Sequence, residues 1–140
     1  MSTATNIQAH IAYELIEDTT HDVVVIEFVS HDILSPVHAR ELGEQLNSLL
    51  RPHSLQYFVI DFANARSLGS TAFGEIVSFV RKATPVWICN LDATLQLGAS
   101  LIGLDDCAKF AANRRVAINE AIKAARRDEE DTVDYPEWVS

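Results

Sequence analysis

Gln56-Tyr57-Phe58-Val59-Ile60-Asp61, followed by Phe62-Ala63-Asn64-Ala65-Arg66-Ser67-Leu68 and then Gly69-Ser70-Thr71-Ala72-Phe73-Gly74, is the stretch around which the rest of the chain is organised. Every residue of Tyr57-Phe58-Val59-Ile60 is apolar and two are β-branched, as in a strand covered on both faces and therefore central in its sheet. After the connection, a glycine with two hydroxyl residues marks a helix entrance, with Ser70 or Gly69 as the N-cap. Phe73, Ile76, Val77 and Val80 then recur at i, i+3, i+4 and i+7, which predicts one buried helical stripe. Unpaired N–H groups and the positive end of the macrodipole meet at such a helix start. A hydroxyl there can cap the helix or carry a phosphate in a favourable field.

Upstream, residues 1–9 read as a flexible N-terminus. His10-Ile11-Ala12-Tyr13-Glu14-Leu15-Ile16 and Val23-Val24-Val25-Ile26-Glu27-Phe28-Val29 read as two strands joined by a turn at Thr19-Thr20-His21-Asp22, an antiparallel hairpin. Ser35-Pro36 starts a helix as N-cap and N1, with a core stripe of Ala39, Leu42, Leu46, Leu49 and Leu50 that stops before Pro52. Downstream, Pro85-Val86-Trp87-Ile88-Cys89 is a strand, and Asp92 caps a helix that Gly103 ends. Lys109-Phe110-Ala111 forms a short last strand, and Asn113 caps a helix with Ile118, Ala121, Ile122 and Ala125 facing inward. This order predicts an α/β fold, a mixed sheet of about five strands with about four helices packed against it. Residues 10–127 read as one domain and 128–140 as an acidic C-terminal tail, whose Tyr135, Pro136, Trp138 and Val139 can dock on the body or on a neighbour.

Composition bounds the function. The 140 residues are 48% hydrophobic and 22% charged, enough for a single core. No stretch approaches the about 18 uninterrupted apolar residues that a membrane span needs, so direct membrane insertion is not expected. The start, Met1-Ser2-Thr3-Ala4-Thr5, has neither a basic nor an apolar leader segment and predicts a cytoplasmic protein. The net charge of −9 is concentrated at one end: six of the 20 acids follow Arg127, leaving 14 against 11 bases upstream. An acidic balance argues against nucleic acid as a partner, since binding it requires a basic surface. Lys109, Arg114, Arg115, Lys123, Arg126 and Arg127 cluster near the last helix and read as a solvated face.

Catalytic and metal chemistry find little support. Cys89 and Cys107 are far apart, without a CxxC, and Cys89 at a strand end reads as a small buried hydrophobe. His10, His21, His31, His38 and His53 are scattered, with no ligand spacing, and read as solvated; neither a metal site nor a cofactor is expected. Gly69 and Gly74 have the spacing of a phosphate-binding GxxxxG, but Glu75-Ile76 stand where a nucleotide loop needs Lys and Ser/Thr. Asp61 has no second carboxylate or His tied to it by sequence, and reads as structural, bonded to backbone N–H groups of the connection.

Asp61 through Gly74 resembles the core motif of the STAS domain (sulphate transporter and anti-sigma factor antagonist), in which a strand ending in Asp leads to Asp-Ser-Ser/Thr-Gly-Leu-Gly at a helix start. Leu68-Gly69-Ser70-Thr71-Ala72-Phe73-Gly74 lies on that motif position by position, with Gly69 in place of its Asp and Ala72 in place of its first Gly. The likeness runs from about Tyr13 to Ile122 and includes Ser100-Leu101-Ile102-Gly103-Leu104 and Glu120-Ala121-Ile122. It implies a non-enzymatic regulator that binds a kinase-type anti-sigma factor through Leu68, Gly69, Ser70, Thr71, Phe73 and Gly74. It further implies a role in transcription regulation by partner switching. Thr71 falls on the family's phosphoacceptor and Ser70 is the second candidate. The resemblance also admits an accessory subunit of a membrane transport ATPase, such as that of a bacterial lipid transporter. A third reading, an enzyme or small-ligand carrier, needs a pocket near Asp61 and Asn90. Self-association is compatible with all three.

Overall fold

The computed structural model describes residues 5–7, 9–16, 21–52 and 54–131. Its main sheet is built on β5 (Gln56–Asp61), whose neighbours are β3 (Asp22–Phe28) on one side and β7 (Val86–Cys89) on the other. Both pairings are parallel. β2 (Ile11–Ile16) pairs antiparallel with β3, from Ile11 opposite Phe28 to Ile16 opposite Val23. This is the expected hairpin. β8 (Lys109–Ala111) pairs parallel with β7 at one edge, and β1 (Thr5–Ile7) pairs antiparallel with β2 at the other. The sheet therefore has six strands rather than about five, in the order β1-β2-β3-β5-β7-β8. Thr5–Ile7 fall within the segment read as flexible, and their place comes from a register with β2 that three residues cannot announce in sequence.

Helices cover both faces, so β5 is buried on both. α1 (Pro36–Asn47), α2 (Ser70–Ala83) and α3 (Ala93–Leu101) lie on one side, where Phe58 and Ile60 join Leu42, Leu46, Ile76, Val80 and Leu95 in the larger core. α4 (Arg114–Asp131) covers the other side, where Tyr57 and Val59 meet Trp87, Ala117, Ala121 and Ala125. Each fully buried Phe or Ile here contributes about 1.5–3 kcal/mol by leaving water. The inward face of α4 is a line of alanines, with Ile118 and Ile122 partly buried at its flanks. Alanine lets the helix lie close on the sheet.

The expected caps are in place: Ser35 accepts from His38 N–H, Asp92 from Leu95 N–H and Asn113 from Val116 N–H. α1 ends at Asn47, a turn before the anticipated stop. α4 runs on to Asp131, so the helix extends past the expected tail boundary at 128. There the Tyr57 hydroxyl donates to the Asp128 carboxylate, which ties the helix end to β5. Tyr135, Pro136, Trp138, Val139 and the rest of 132–140 lie outside the described residues, as does His53. No helix among the described residues is long and apolar enough to cross a membrane.

Candidate functional site

Parallel strands in register finish together, and Glu27, Asp61, Cys89 and Ala111 stand level at the C-terminal edge of β3, β5, β7 and β8. Connections leaving this edge are where α/β sheets place their functional residues. The connection after Asp61 leads to a second, two-stranded sheet of β4 (Asp32–Ile33) and β6 (Ser67–Leu68), paired parallel. His31 anchors it: its carbonyl accepts from Arg66 N–H at 2.8 Å, and its Nδ1 lies 2.7 Å from the Asn64 carbonyl. Two-residue strands fall below any readable periodicity. They nonetheless bring a segment from before α1 against the start of α2.

Gly69 is the N-cap of α2, with φ −75° and ψ 169° and no side-chain cap. Its N–H donates to the Ile33 carbonyl at 2.9 Å, and its carbonyl accepts from Phe73 N–H at 3.0 Å. A Cβ at Gly69 would stand 3.2 Å from the Leu34 carbonyl oxygen, so the close approach of the strand before α1 favours glycine here. Ser70 and Thr71 occupy the first helical turn, both exposed, and neither hydroxyl caps the helix. Ala72 and Phe73 turn inward, and the Phe73 ring lies under Gly98 of α3, where a Cβ would come within 3.0 Å. Leu68 is half-buried, while Gly74 is exposed with open space where a Cβ would go. The motif thus divides cleanly: Ala72 and Phe73 hold the helix, and Ser70, Thr71 and Gly74 face solvent. Leu34, 65% exposed, has its backbone against Gly69, so an exposed apolar residue adjoins the helix start that carries the two hydroxyls; Val37, 55% exposed, follows in the first turn of α1. The sequence reading did not name this pair. The β4–β6 pairing brings Leu34 to the helix start.

Asp61 sits apart from that surface, buried at the strand end. One of its oxygens accepts from Ala63 N–H and from the Asn90 side chain, both at 2.9 Å, and the other from Arg114 at 3.4 Å. Arg114 also donates to Glu27 and Glu14, each at 3.1 Å. Burial works against the Arg114 charge, but the hydrogen bonds to Glu14 and Glu27, with the charges of Glu27 and Asp61, outweigh it and raise its pKa. With both oxygens engaged, Asp61 fixes the connection and the start of α4 and is poorly placed to act as a base. Arg114 is therefore part of a charged lock, not of a solvated face. Asn90 carries a positive φ of 60° at the end of β7. Cavities of about 500, 330 and 290 Å³ lie elsewhere: beside α3 and β8, and around Tyr57 and Pro85. A pocket at Asp61 and Asn90 is not among them.

Two further expectations meet the structure. Cys89 is buried as anticipated, and burial, followed by the Asp61 charge, pushes its thiol up to about 12 against a smaller opposing effect of Arg114. His10 is not solvated: it is buried, with Nδ1 2.9 Å from the Ser30 hydroxyl and Nε2 3.0 Å from the Glu41 carboxylate. That hydrogen bond, aided by the charges of His38 and His10, holds the Glu41 carboxyl below its ordinary value against a desolvation effect. The described residues contain no cluster of three metal-ligating side chains.

No family model matches the sequence, and no curated protein does. Solved structures do. The solution structure of a Thermotoga maritima protein, a candidate anti-sigma factor antagonist, aligns with a TM-score of 0.61 at 18% identity, covering 82% of this chain and 87% of that one. A stressosome component, from an assembly described as a signal integration and transduction hub, aligns at 0.56 with 16% identity, over 80% and 98%. The anti-sigma factor antagonist SpoIIAA in its unphosphorylated form aligns at 0.54 with 14% identity, over 81% and 97%. Likeness at these identities establishes the fold. It is the STAS fold, as the motif at Asp61 to Gly74 implies.

Proposed function

We propose that this chain is a regulatory protein-binding module that works as anti-sigma factor antagonists do, with a kinase-type anti-sigma factor as its partner and the start of α2 as its contact surface. The observation that carries the reading is the pair Ser70 and Thr71. Both are exposed on the first turn of α2, neither is used as a cap, and the exposed Leu34 adjoins Gly69 at the same helix start. Apolar surface around a neutral hydroxyl suits a partner interface that a phosphate can dismantle. Phosphorylation adds roughly −1.5 to −2 charges and bulk, which such an interface must desolvate without a counter-charge. Thr71 is the proposed acceptor, with Ser70 second. SpoIIAA, solved in its unphosphorylated form, supports the comparison.

Thr71→Glu separates switching from folding. A carboxylate in the first turn of α2 meets the positive end of the macrodipole, so stability changes by no more than about 1 kcal/mol. Binding should fall by roughly 2–5 kcal/mol, because the charge is buried unpaired. Native and Thr71→Glu chains used as baits in the source cell, with melting curves alongside, test both halves. The expected result is an unchanged midpoint with a partner kinase captured only by the native chain. A partner retained equally by both would move the interface to another surface. With that kinase and ATP, phosphate on Thr71 is the expected mass-spectrometric result, and labelling unaffected by Thr71→Ala would overturn the assignment.

A further inference from the structure

At the opposite end of the sheet from the α2 start, the last turns of α4 pass over Tyr57, Pro85 and Trp87 and leave a cleft of about 290 Å³. Three exposed cations rim it: Lys109 of β8, and Lys123 and Arg127 of α4. Lys109 Nζ stands 5.0 Å over the Trp87 ring. The carboxylates in the wall are already engaged, Glu120 by the Trp87 indole N–H at 3.1 Å and Asp128 by the Tyr57 hydroxyl. None of the three pairs with a carboxylate among the side chains described up to residue 128. A second cleft of about 330 Å³ adjoins across Tyr57, Pro85 and Asp128, adding Lys82, Arg51 and the 51% exposed Leu55. The two together form a groove with an apolar and aromatic floor and a cationic rim. Four consecutive acids, 128–131, close α4 at the negative end of its dipole, where cations are ordinarily favoured.

Nine residues follow Asp131, reading Thr132-Val133-Asp134-Tyr135-Pro136-Glu137-Trp138-Val139-Ser140. Extended, they reach up to about 30 Å, and α4 ends only about 6 Å beyond Arg127 along its axis. Two acids alternate with two large aromatics, and Pro136 separates the two acid–aromatic pairs. We propose that residues 132–140 of this chain dock in the groove, Asp134 and Glu137 pairing with Lys109, Lys123 and Arg127 while Tyr135 and Trp138 rest on the floor at Tyr57, Pro85 and Leu55. The charge match and the reach carry the assignment. The occupant is the chain's own C-terminal segment, and the contact latches the end of α4 to the sheet independently of anything bound at the α2 start.

Fluorescence quenching by acrylamide, a neutral quencher, tests this on the full chain. Trp87 is 2% exposed and contributes little, so accessible tryptophan emission reports Trp138, with a Trp138→Phe chain as the background. A docked Trp138 is quenched severalfold less than the same residue in a synthetic peptide of residues 132–140. The shielding should be lost in Lys123→Glu/Arg127→Glu, both at exposed helix positions, and recovered when Asp134→Lys/Glu137→Lys is added to that chain. It should also weaken in the native chain at about 1 M salt, where the screening length falls to about 3 Å. Quenching of the native chain at the peptide's rate overturns the proposal. Shielding that survives both charge reversal and salt overturns the groove as its site, and shielding that grows with protein concentration assigns the segment to a second copy instead.

Discussion

Arg114→Ala removes a cation that bridges Glu14, Glu27 and Asp61, at distances of 3.1, 3.1 and 3.4 Å. Arg114 is 32% exposed, Glu14 18%, Glu27 35% and Asp61 7%, so the cluster is neither a surface pair nor a fully dry one. A hydrogen bond to a charged group is worth about 1.5–3 kcal/mol, but three bonds sharing one guanidinium do not add, and the two glutamates retain water. Breaking a buried pair costs about 3–5 kcal/mol because an unpaired charge is left behind. Weighted for this exposure, the expected loss is about 3 kcal/mol, or roughly 10 °C in the midpoint of a domain of this size. Chemical denaturation at neutral pH measures it. The raised pKa of Arg114 keeps its own contribution complete below its unfolded value and lost only as the pH rises through the higher folded one, far above the working range. In the variant Glu14, Glu27 and Asp61 are left without their shared cation, and the repulsion among them is part of the loss. Adding Glu27→Gln to Arg114→Ala should recover part of the stability by the same logic. A loss below about 1 kcal/mol, or no recovery in the double variant, would refute the lock as a stabilising element.

Thiol chemistry should distinguish the two cysteines. With Cys89 at 1% exposure and its thiol pushed up to about 12, a thiol reagent should label Cys107 in the native chain and reach Cys89 only on unfolding. Because the folded pKa is raised, the Cys89 contribution to stability is complete below the ordinary value of 9.0 and is lost as the pH rises from there through about 12, which alkaline denaturation curves of the native and Cys89→Ala chains would reveal as a difference in slope. The two glycines near the α2 start should respond oppositely to alanine. Gly74→Ala, in open space inside the helix, should stabilise by about 0.5–1 kcal/mol, whereas Gly98→Ala, 3.0 Å from the Phe73 ring, should destabilise by about 1–3 kcal/mol. Melting curves of both variants decide this.

What could be read from sequence follows from how many residues each feature spends on its pattern. β5 and the α2 stripe are legible because four consecutive apolar residues and a repeat at i, i+3, i+4 and i+7 report burial directly. Ser35, Asp92 and Asn113 are legible because a cap is a local chemical event. β1, β4 and β6 have three, two and two residues, too few to show a period, and β4 and β6 are ordered by each other across more than thirty residues. Arg114 misleads for a different reason. A cation on the first turn of a helix opposes the macrodipole and would ordinarily sit in solvent, yet three carboxylates from β2, β3 and β5 meet it there. His10 misleads likewise, since its partners Ser30 and Glu41 lie 20 and 31 residues away.

The candidate surface repeats this division on a smaller scale. Its hydroxyls come from α2 and are visible in the motif, whereas Leu34 comes from a segment more than thirty residues earlier and is placed by the pairing of Asp32–Ile33 with Ser67–Leu68. Gly69 is where the two halves touch. Its N–H bonds to Ile33 and its missing side chain admits the Leu34 carbonyl, so glycine in place of the motif's acid follows from how closely this chain packs β4 on the helix start. The same contact fixes the helix entrance without help from Ser70 or Thr71. Anchored by Gly69 on one side and by Ala72 and Phe73 on the other, the first turn of α2 carries its two hydroxyls without depending on them. A group that the fold does not require can change charge at little expense to stability, and that separation is the physical condition for a surface residue to act as a switch.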